Sequence, residues 1–366
     1  MTRAIELSFD PTLRLGDILI RWQAVGVAGA VLVALVAAAF MCRRSGRAKG
    51  QPPLRRDDLL FVVLGIAPGA LIGARLMHAL AYLDVYAPDP LAVLDPARGG
   101  LSLLGAVIGG TVSGAYVASL LEGSVRRWLD ALSVPTLLAL GLGKLAQMVG
   151  GSGQGRPDGG PFAVAFTGEG PWVGLAPSVP AHPSQAYEGL WALAGILPVL
   201  VLLMGPAVRG LMSDPRLFGD WAVSREQARR AALPAGAIFY LALVWWLVGR
   251  LLIGATWRDE PLVNGLNVEQ AAAAAVLGIL ALTLMLAKLV RWASGRLRAS
   301  SVSIGRVGRA RRAATVQRAA TVQRAATVEP QPKPQPQSPP PPPPVPESVT
   351  TVERPAPRRR RFRAQP

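Results

Sequence analysis

One cysteine, Cys42, and two histidines, His78 and His182, are all the cysteine and histidine that the 366 residues offer. A single cysteine excludes an intramolecular disulfide, and no Cys/His pattern has metal-ligand spacing, so no metal site and no cofactor are expected. Acidic residues are also scarce: 22 stand against 39 Lys and Arg, for a formal net charge of +17. Such an excess resembles a nucleic-acid signal until it is located. Between Arg291 and Pro366 lie 16 basic and 3 acidic residues, so +13 of the excess sits in one C-terminal segment and no nucleic acid is expected as a partner of the rest.

What the chain has in quantity is apolar sequence. Apolar residues make up 51% of it, gathered in blocks of about twenty between short charged stretches, the length a helix needs to cross a bilayer. The pattern predicts an all-α, polytopic membrane helix bundle with seven transmembrane helices, at Ala24 to Met41, Leu59 to Leu83, Leu101 to Leu121, Leu129 to Gly150, Ala186 to Val208, Pro234 to Thr256 and Val268 to Trp292. Basic residues are retained on the cytoplasmic side, and they fall in alternate loops. Arg43, Arg44, Arg47, Lys49, Arg55 and Arg56 follow the first span, Arg126 and Arg127 precede the fourth, and Arg209, Arg216, Arg225, Arg229 and Arg230 follow the fifth. The intervening loops hold one arginine each, so the N-terminus is placed outside and the C-terminal tail inside. A cleaved signal peptide would carry its charge before the first apolar stretch rather than after it.

Two regions are expected: residues 1–294, a seven-span membrane domain, and residues 295–366, a basic, Pro-rich cytoplasmic tail. In the tail the hexamer Arg-Ala-Ala-Thr-Val-Gln recurs from Arg312 and Arg318, and Pro339 to Pro344 is uninterrupted. This composition buries no core and predicts disorder. Within the spans, Gly65, Gly69 and Gly73 stand four apart, as do Gly105 and Gly109, and Gly110 and Gly114; small residues at this spacing let helix backbones approach.

Chemistry enters with three cations inside predicted spans, Arg75, Lys144 and Arg250. Each costs about 2.5–3.5 kcal/mol at a helix centre, so each requires a partner or water. All three lie about two-thirds of the way along spans running from inside to outside, which sets them at a common depth in the outer half of the bilayer. Asp130 starts the fourth span at the opposite, cytoplasmic face, which leaves Glu188, at the outer start of the fifth, as the internal counter-ion. Three cations with one acid are therefore expected either to converge on an anionic lipid phosphate or to snorkel independently to the interface. Lys144 and Gln147, three apart, share a helix face. The glycines Gly150, Gly151, Gly153 and Gly155, with Arg156 next, let bare backbone approach a ligand or turn sharply.

Laid out in order, these residues resemble the bacterial prolipoprotein diacylglyceryl transferases. Gly141 to Arg156 aligns without a gap to that family's signature, Gly-x-Gly-Arg-x-x-Asn-x-x-Asn-x-Glu-x-x-Gly-Arg. The likeness extends to Gly73-Ala74-Arg75-Leu76, Gly99-Gly100-Leu101-Ser102, Asp130, His182-Pro183-Ser184-Gln185 with Tyr187-Glu188, and Gly249-Arg250, covering about Phe9 to Arg291. It implies transfer of the diacylglyceryl unit of phosphatidylglycerol to the lipobox cysteine of a prolipoprotein signal peptide, at the outer face of the bacterial inner (plasma) membrane. On this likeness Arg250 and Lys144 carry catalysis by neutralising the phosphate, Arg75 and Gln147 support them, Gly155 and Arg156 shape the rim, and His182 orders its loop.

The likeness also has gaps. Lys144 stands at the signature arginine, Gln147 and Gly150 at its asparagines, Ser152 at its glutamate, Gln23 at an N-terminal tyrosine, and Leu104 at a histidine two residues after Ser102. With that histidine absent the general base is open. His78, three residues after Arg75, is either a substitute base or a packed interfacial histidine. The alternatives to a transferase are a catalytically silent relative that binds anionic phospholipid or lipoprotein precursors, and a transporter, which would call for paired halves with broken helices.

Overall fold

A computed structural model of the chain describes residues 4–44, 54–95, 100–121, 124–168, 179–212, 233–263 and 265–326. Seven of its helical stretches are long and apolar enough to span a bilayer: Trp22–Arg43, Arg56–Ala81, Leu103–Leu120, Val125–Val149, Ser184–Gly205, Ala237–Thr256 and Val268–Ser294. The chain is a multi-pass membrane protein, and each span coincides within a few residues with an apolar block of the sequence. Large apolar side chains such as Leu32, Val36, Leu64, Leu197 and Leu252 face outward along these helices, as they do where the solvent is hydrocarbon.

The helices are α1 (Trp22–Arg44), α2 (Arg56–Ala81), the short α3 (Leu83–Tyr86), α4 (Leu103–Leu120), α5 (Val125–Val149), α6 (Ser184–Ala194), α7 (Ile196–Met212), α8 (Ala237–Ile253) and α9 (Val268–Ala326). The fifth apolar block, expected as one span, is split at Gly195, where any side chain would run into the indole of Trp245. Opposite this break Trp191 and Trp245 stack with centroids 4.6 Å apart, and each indole N–H donates to the other's backbone carbonyl at 2.8 Å. That reciprocal bond locks α6 to α8.

Short strands, not anticipated from the sequence, decorate the bundle: β1 (Ile5–Leu7), β2 (Thr12–Leu15), β3 (Ile18–Arg21), β4 (Val164–Phe166), β5 (Pro261–Val263) and β6 (Leu266–Asn267). β1 pairs in parallel with β4, tying the N-terminal segment to the loop before α6. β2 and β3 form a hairpin through a two-residue turn in which Gly16 takes φ 61°, a conformation open to glycine. Asp10 accepts hydrogen bonds from the hydroxyl and the amide of Thr12, and these hold its carboxyl below the usual range.

Glycine spacing becomes packing between α2 and α4. A Cβ at Gly73 would fall 2.9 Å from the Cα of Gly109, and one at Gly69 would fall 2.6 Å from the Gly109 carbonyl oxygen. The two backbones are in contact, which larger side chains forbid. Helix α5 packs against α1, α6 and α8. Its Val134, Leu137 and Leu140 share a core with Leu104, Ala192, Trp246, Leu247 and Ala273. At the opposite end of α5, the Asp130 carboxylate accepts from the amides of Gly236, Ile238 and Phe239 at 2.8–3.1 Å. This caps the start of α8 and so fixes how deep Arg250 lies.

Residues Met1–Leu289 form one compact unit and Val290–Pro366 a second. Of the expected tail, residues 295–326 lie within helix α9, which includes the Arg-Ala-Ala-Thr-Val-Gln repeats. Ala, Arg and Gln are strong helix formers, and the first proline after them is Pro330. The rest of the expected tail, residues 327–366, lies outside the described residues.

Candidate functional site

Four helices bring four charges together. Lys144 lies one turn before the end of α5, Arg250 in the last turn of α8, Glu188 in the second turn of α6, and Glu269 in the first turn of α9. Cations near helix C-termini and carboxylates near N-termini suit the helix dipoles. Glu188 sits at the centre: its Oε2 meets Lys144 Nζ at 2.8 Å, and its Oε1 accepts from Arg250 Nη1 at 2.6 Å and from the Trp257 indole at 2.9 Å. Arg250 turns its other nitrogen, Nη2, to Glu269 Oε2 at 2.5 Å, and Glu269 Oε1 accepts from the Ser102 hydroxyl at 2.5 Å. Lys144 also stands 4.4 Å from the centroid of the Trp257 ring, a cation–π contact.

Lys144, Glu188 and Arg250 are at most 8% exposed, so their charges are tolerable only as partners. The Glu269 side chain, 21% exposed, is the open end of the chain. The sequence predicts one acid against three cations; the fold gives two against two, a neutral network, and the second acid, Glu269, is not among the predicted site residues. Its signal was available, because it occupies the first turn of the seventh span while Arg250 occupies the last turn of the sixth, which places both at the same end of the bundle.

Arg75 is the cation that does not join. Its guanidinium donates to the carbonyls of Val93 (2.7 Å), Ala92 (3.0 Å), Asp95 (2.6 Å) and Gly100 (3.1 Å), and it lies 5.5 Å from the centroid of the Tyr86 ring. The 3₁₀ turn at Pro90–Leu94 presents several carbonyls on one side, and the planar fork of arginine donates to them at once. Of the three cations expected to converge, Lys144 and Arg250 meet at Glu188, while Arg75 fastens the connection before α4.

His78 is similarly occupied. Its Nε2 accepts from the amide of Gly100 at 2.8 Å, which puts the ring proton on Nδ1, and the ring lies between Tyr82 and Tyr86 at centroid distances of 4.6 and 6.0 Å. Leu104, at the position of the family histidine, is fully buried in the apolar core.

The glycine-rich exit of α5 is a junction. Gly151 and Gly153 take φ 65° and 77°, turning the chain sharply under Trp257. Gly155 donates to the carbonyl of His182 and Arg156 to that of Thr256, both at 2.8 Å, while His182 donates back to Arg156 at 3.0 Å. A side chain at Gly155 would collide with Ser184 and Thr256, so the loop threads between α6 and the end of α8 only as glycine. Arg156 reaches the Trp257 carbonyl at 2.9 Å from an exposed position, and the His182 imidazole faces Asp158 at 3.6 Å. Arg258 donates to the Gly155 carbonyl at 2.6 Å and to the Gln154 side chain at 3.1 Å. Beside Gly153 lie Gln147 and Gln185. The carbonyl oxygen of Gln147, the amide nitrogen of Gln154 and both amide atoms of Gln185 are buried with no hydrogen-bond partner among the described residues. Buried amides in that condition suit a polar ligand.

Three departures from the family pattern, Gln23, Gly150 and Ser152, meet in space. The Ser152 hydroxyl donates to Gln23 Oε1 at 2.7 Å, and the space a Cβ at Gly150 would need is taken by the side chain of Gln23. The three positions are in direct contact.

The profile of the family described as prolipoprotein diacylglyceryl transferase matches residues 11–288. The chain belongs to that family. Among its relatives, the phosphatidylglycerol--prolipoprotein diacylglyceryl transferase of Geobacter sulfurreducens is 30% identical over 246 residues, covering 67% of this chain and 80% of the relative. The enzyme of the same name from Phenylobacterium zucineum is 30% identical over 278 residues, 69% of this chain and 94% of the relative. That of Gluconacetobacter diazotrophicus is 32% identical over 226 residues, 60% and 76% respectively. The matched span of this prolipoprotein diacylglyceryl transferase family member contains all four charges of the network and the whole glycine junction.

Proposed function

We propose that the protein transfers the diacylglyceryl group of phosphatidylglycerol to the lipobox cysteine thiol of prolipoproteins, in the inner (plasma) membrane of a bacterium, with the charged network toward the outer face. The observation that carries this reading is the buried Lys144–Glu188–Arg250–Glu269 chain. Lys144 and Arg250 would bind the phosphate of the lipid and neutralise the charge that grows on it as the glycerol carbon–oxygen bond breaks. The carboxylates keep both cations charged and aimed in the absence of lipid. Gln147 and Gln185 offer the glycerol hydroxyls hydrogen-bonding groups that the protein leaves unmet. Gly155 and Arg156 form the rim over which a signal peptide would arrive.

Purified protein in phosphatidylglycerol vesicles, given a lipobox peptide, should raise the peptide mass by one diacylglyceryl unit. One observation favours a second reading, a silent relative that binds lipid: the position of the family histidine is an apolar, fully buried Leu104. Phosphatidylglycerol binding with no change in peptide mass would establish that alternative and defeat the transferase.

A further inference from the structure

We infer that Glu269 is the proton acceptor for the attacking thiol, held in position by Ser102, in place of the histidine that Leu104 replaces. This rests on the transferase reading. The relevant geometry begins at the start of α4. Ser102 caps that helix by accepting from the amide of Gly105 at 3.2 Å, and its own hydroxyl proton is committed to Glu269 Oε1 at 2.5 Å. Leu104, two residues on, is turned into the core. The carboxylate bound to the α4 cap is therefore that of Glu269.

Exposure separates Glu269 from its partners. Its side chain is 21% exposed while those of Glu188 and Arg250 are 4% and 8% exposed, so a substrate thiol meets Glu269 first. Each carboxylate oxygen carries two lone pairs, which leaves acceptor capacity beyond Arg250 and Ser102. His78 offers none at Nε2, which the Gly100 amide fills.

Charge balance supplies the reason for this choice. Lys144, Arg250, Glu188 and Glu269 sum to zero, whereas the phosphodiester of the donor lipid brings one negative charge. When the thiol S–H bond breaks and its proton moves to Glu269, the network gains one positive charge and the hold of Glu269 on Arg250 weakens. Arg250 is then free for the phosphate at the moment the leaving group needs it. The sulfur–carbon bond forms, the glycerol carbon–oxygen bond breaks with its electron pair passing to the phosphate oxygen, and Glu269 returns the proton to the departing glycerol phosphate. Atoms and charge balance: an anionic diester and a neutral thiol give a neutral thioether and a monoanionic phosphate monoester. The titratable and charged groups around Glu269 are Arg250 on α8, Glu188 beyond it on α6, Lys144 on α5, and His78 with Tyr82 at the end of α2, with Arg75 behind His78.

The test is the pH profile of transfer to a lipobox peptide by full-length protein in phosphatidylglycerol vesicles. Glu269→Gln should lose about 10²-fold in kcat at pH 7, the contribution of a positioned base, with KM for the lipid little changed. Its deficit should shrink about tenfold per pH unit toward the thiol pKa of about 8.5, as solution supplies the thiolate. Glu269→Asp should keep the wild-type profile at reduced rate, and it serves as the variant if the glutamine form does not fold. Ser102→Ala should lower kcat with partial rescue by Ser102→Thr. A Glu269→Gln rate within threefold of wild type at pH 7, or a loss that stays constant from pH 6 to 9, overturns the assignment while leaving the transferase reading intact. An inactive wild type overturns both.

Discussion

Replacing Glu188 by glutamine keeps the shape of the side chain and removes one charge from the centre of the network. Lys144 loses its ion pair at 2.8 Å, and Arg250 loses one of two, at 2.6 Å. With Lys144 and Arg250 each 8% exposed, solvent is not at hand to replace the lost partner. Breaking a buried pair from one side costs about 3–5 kcal/mol, a large share of a typical folding free energy of about 5–15 kcal/mol. Lys144→Met should cost less, because Glu188 keeps Arg250 and the Trp257 indole. In the double variant no buried ammonium is left unpaired, and Arg250 retains Glu269. The two losses should then fall short of additivity by about 1.5–3 kcal/mol. Equilibrium unfolding in mixed micelles, run on the four proteins of this cycle, measures that coupling. A Glu188→Gln cost below about 1 kcal/mol, or strictly additive losses, would refute the account of a closed network in which each charge is tolerable only through its partners.

Two further substitutions probe the scaffold. Gly73→Leu places a side chain against the Gly109 backbone, where even a Cβ would be 2.9 Å away, and should separate α2 from α4 at a cost of at least about 1–3 kcal/mol, read by the same unfolding assay. Arg75→Lys keeps the charge but trades a planar fork for a point donor. It should strip most of the carbonyls of Ala92, Val93, Asp95 and Gly100 of their guanidinium donor, seen as faster amide exchange over residues 90–95 with affinity for phosphatidylglycerol retained. Lost lipid affinity without faster exchange would return Arg75 to the headgroup.

The fate of individual residues shows why some of this was legible in the sequence. Lys144 and Arg250 were recognisable because a cation inside an apolar block has few ways to be accommodated, and depth along a helix follows from counting residues. Gly65, Gly69, Gly73, Gly105 and Gly109 were legible as a contact stripe, although nothing in their spacing said that α2 meets α4. Arg75 has the same charge and depth as the other two cations, and its neighbours reversed its expected role. The split at Gly195 depends on Trp245, which lies fifty residues away in sequence. The contact among Gln23, Gly150 and Ser152 is invisible until α1 and the end of α5 are adjacent.

By itself, then, the sequence determined the solvent, the number of spans and the depth of each charge, because bilayer thickness and the helical rise act on consecutive residues. Tertiary structure alone decided which charge answers which. Hydrogen bonds and ion pairs act over about 3 Å, and the order of residues along a chain does not say which helices will come that close. Glu269, Ser102 and Arg250 belong to three different helical segments, and only their packing turns them into one proton path.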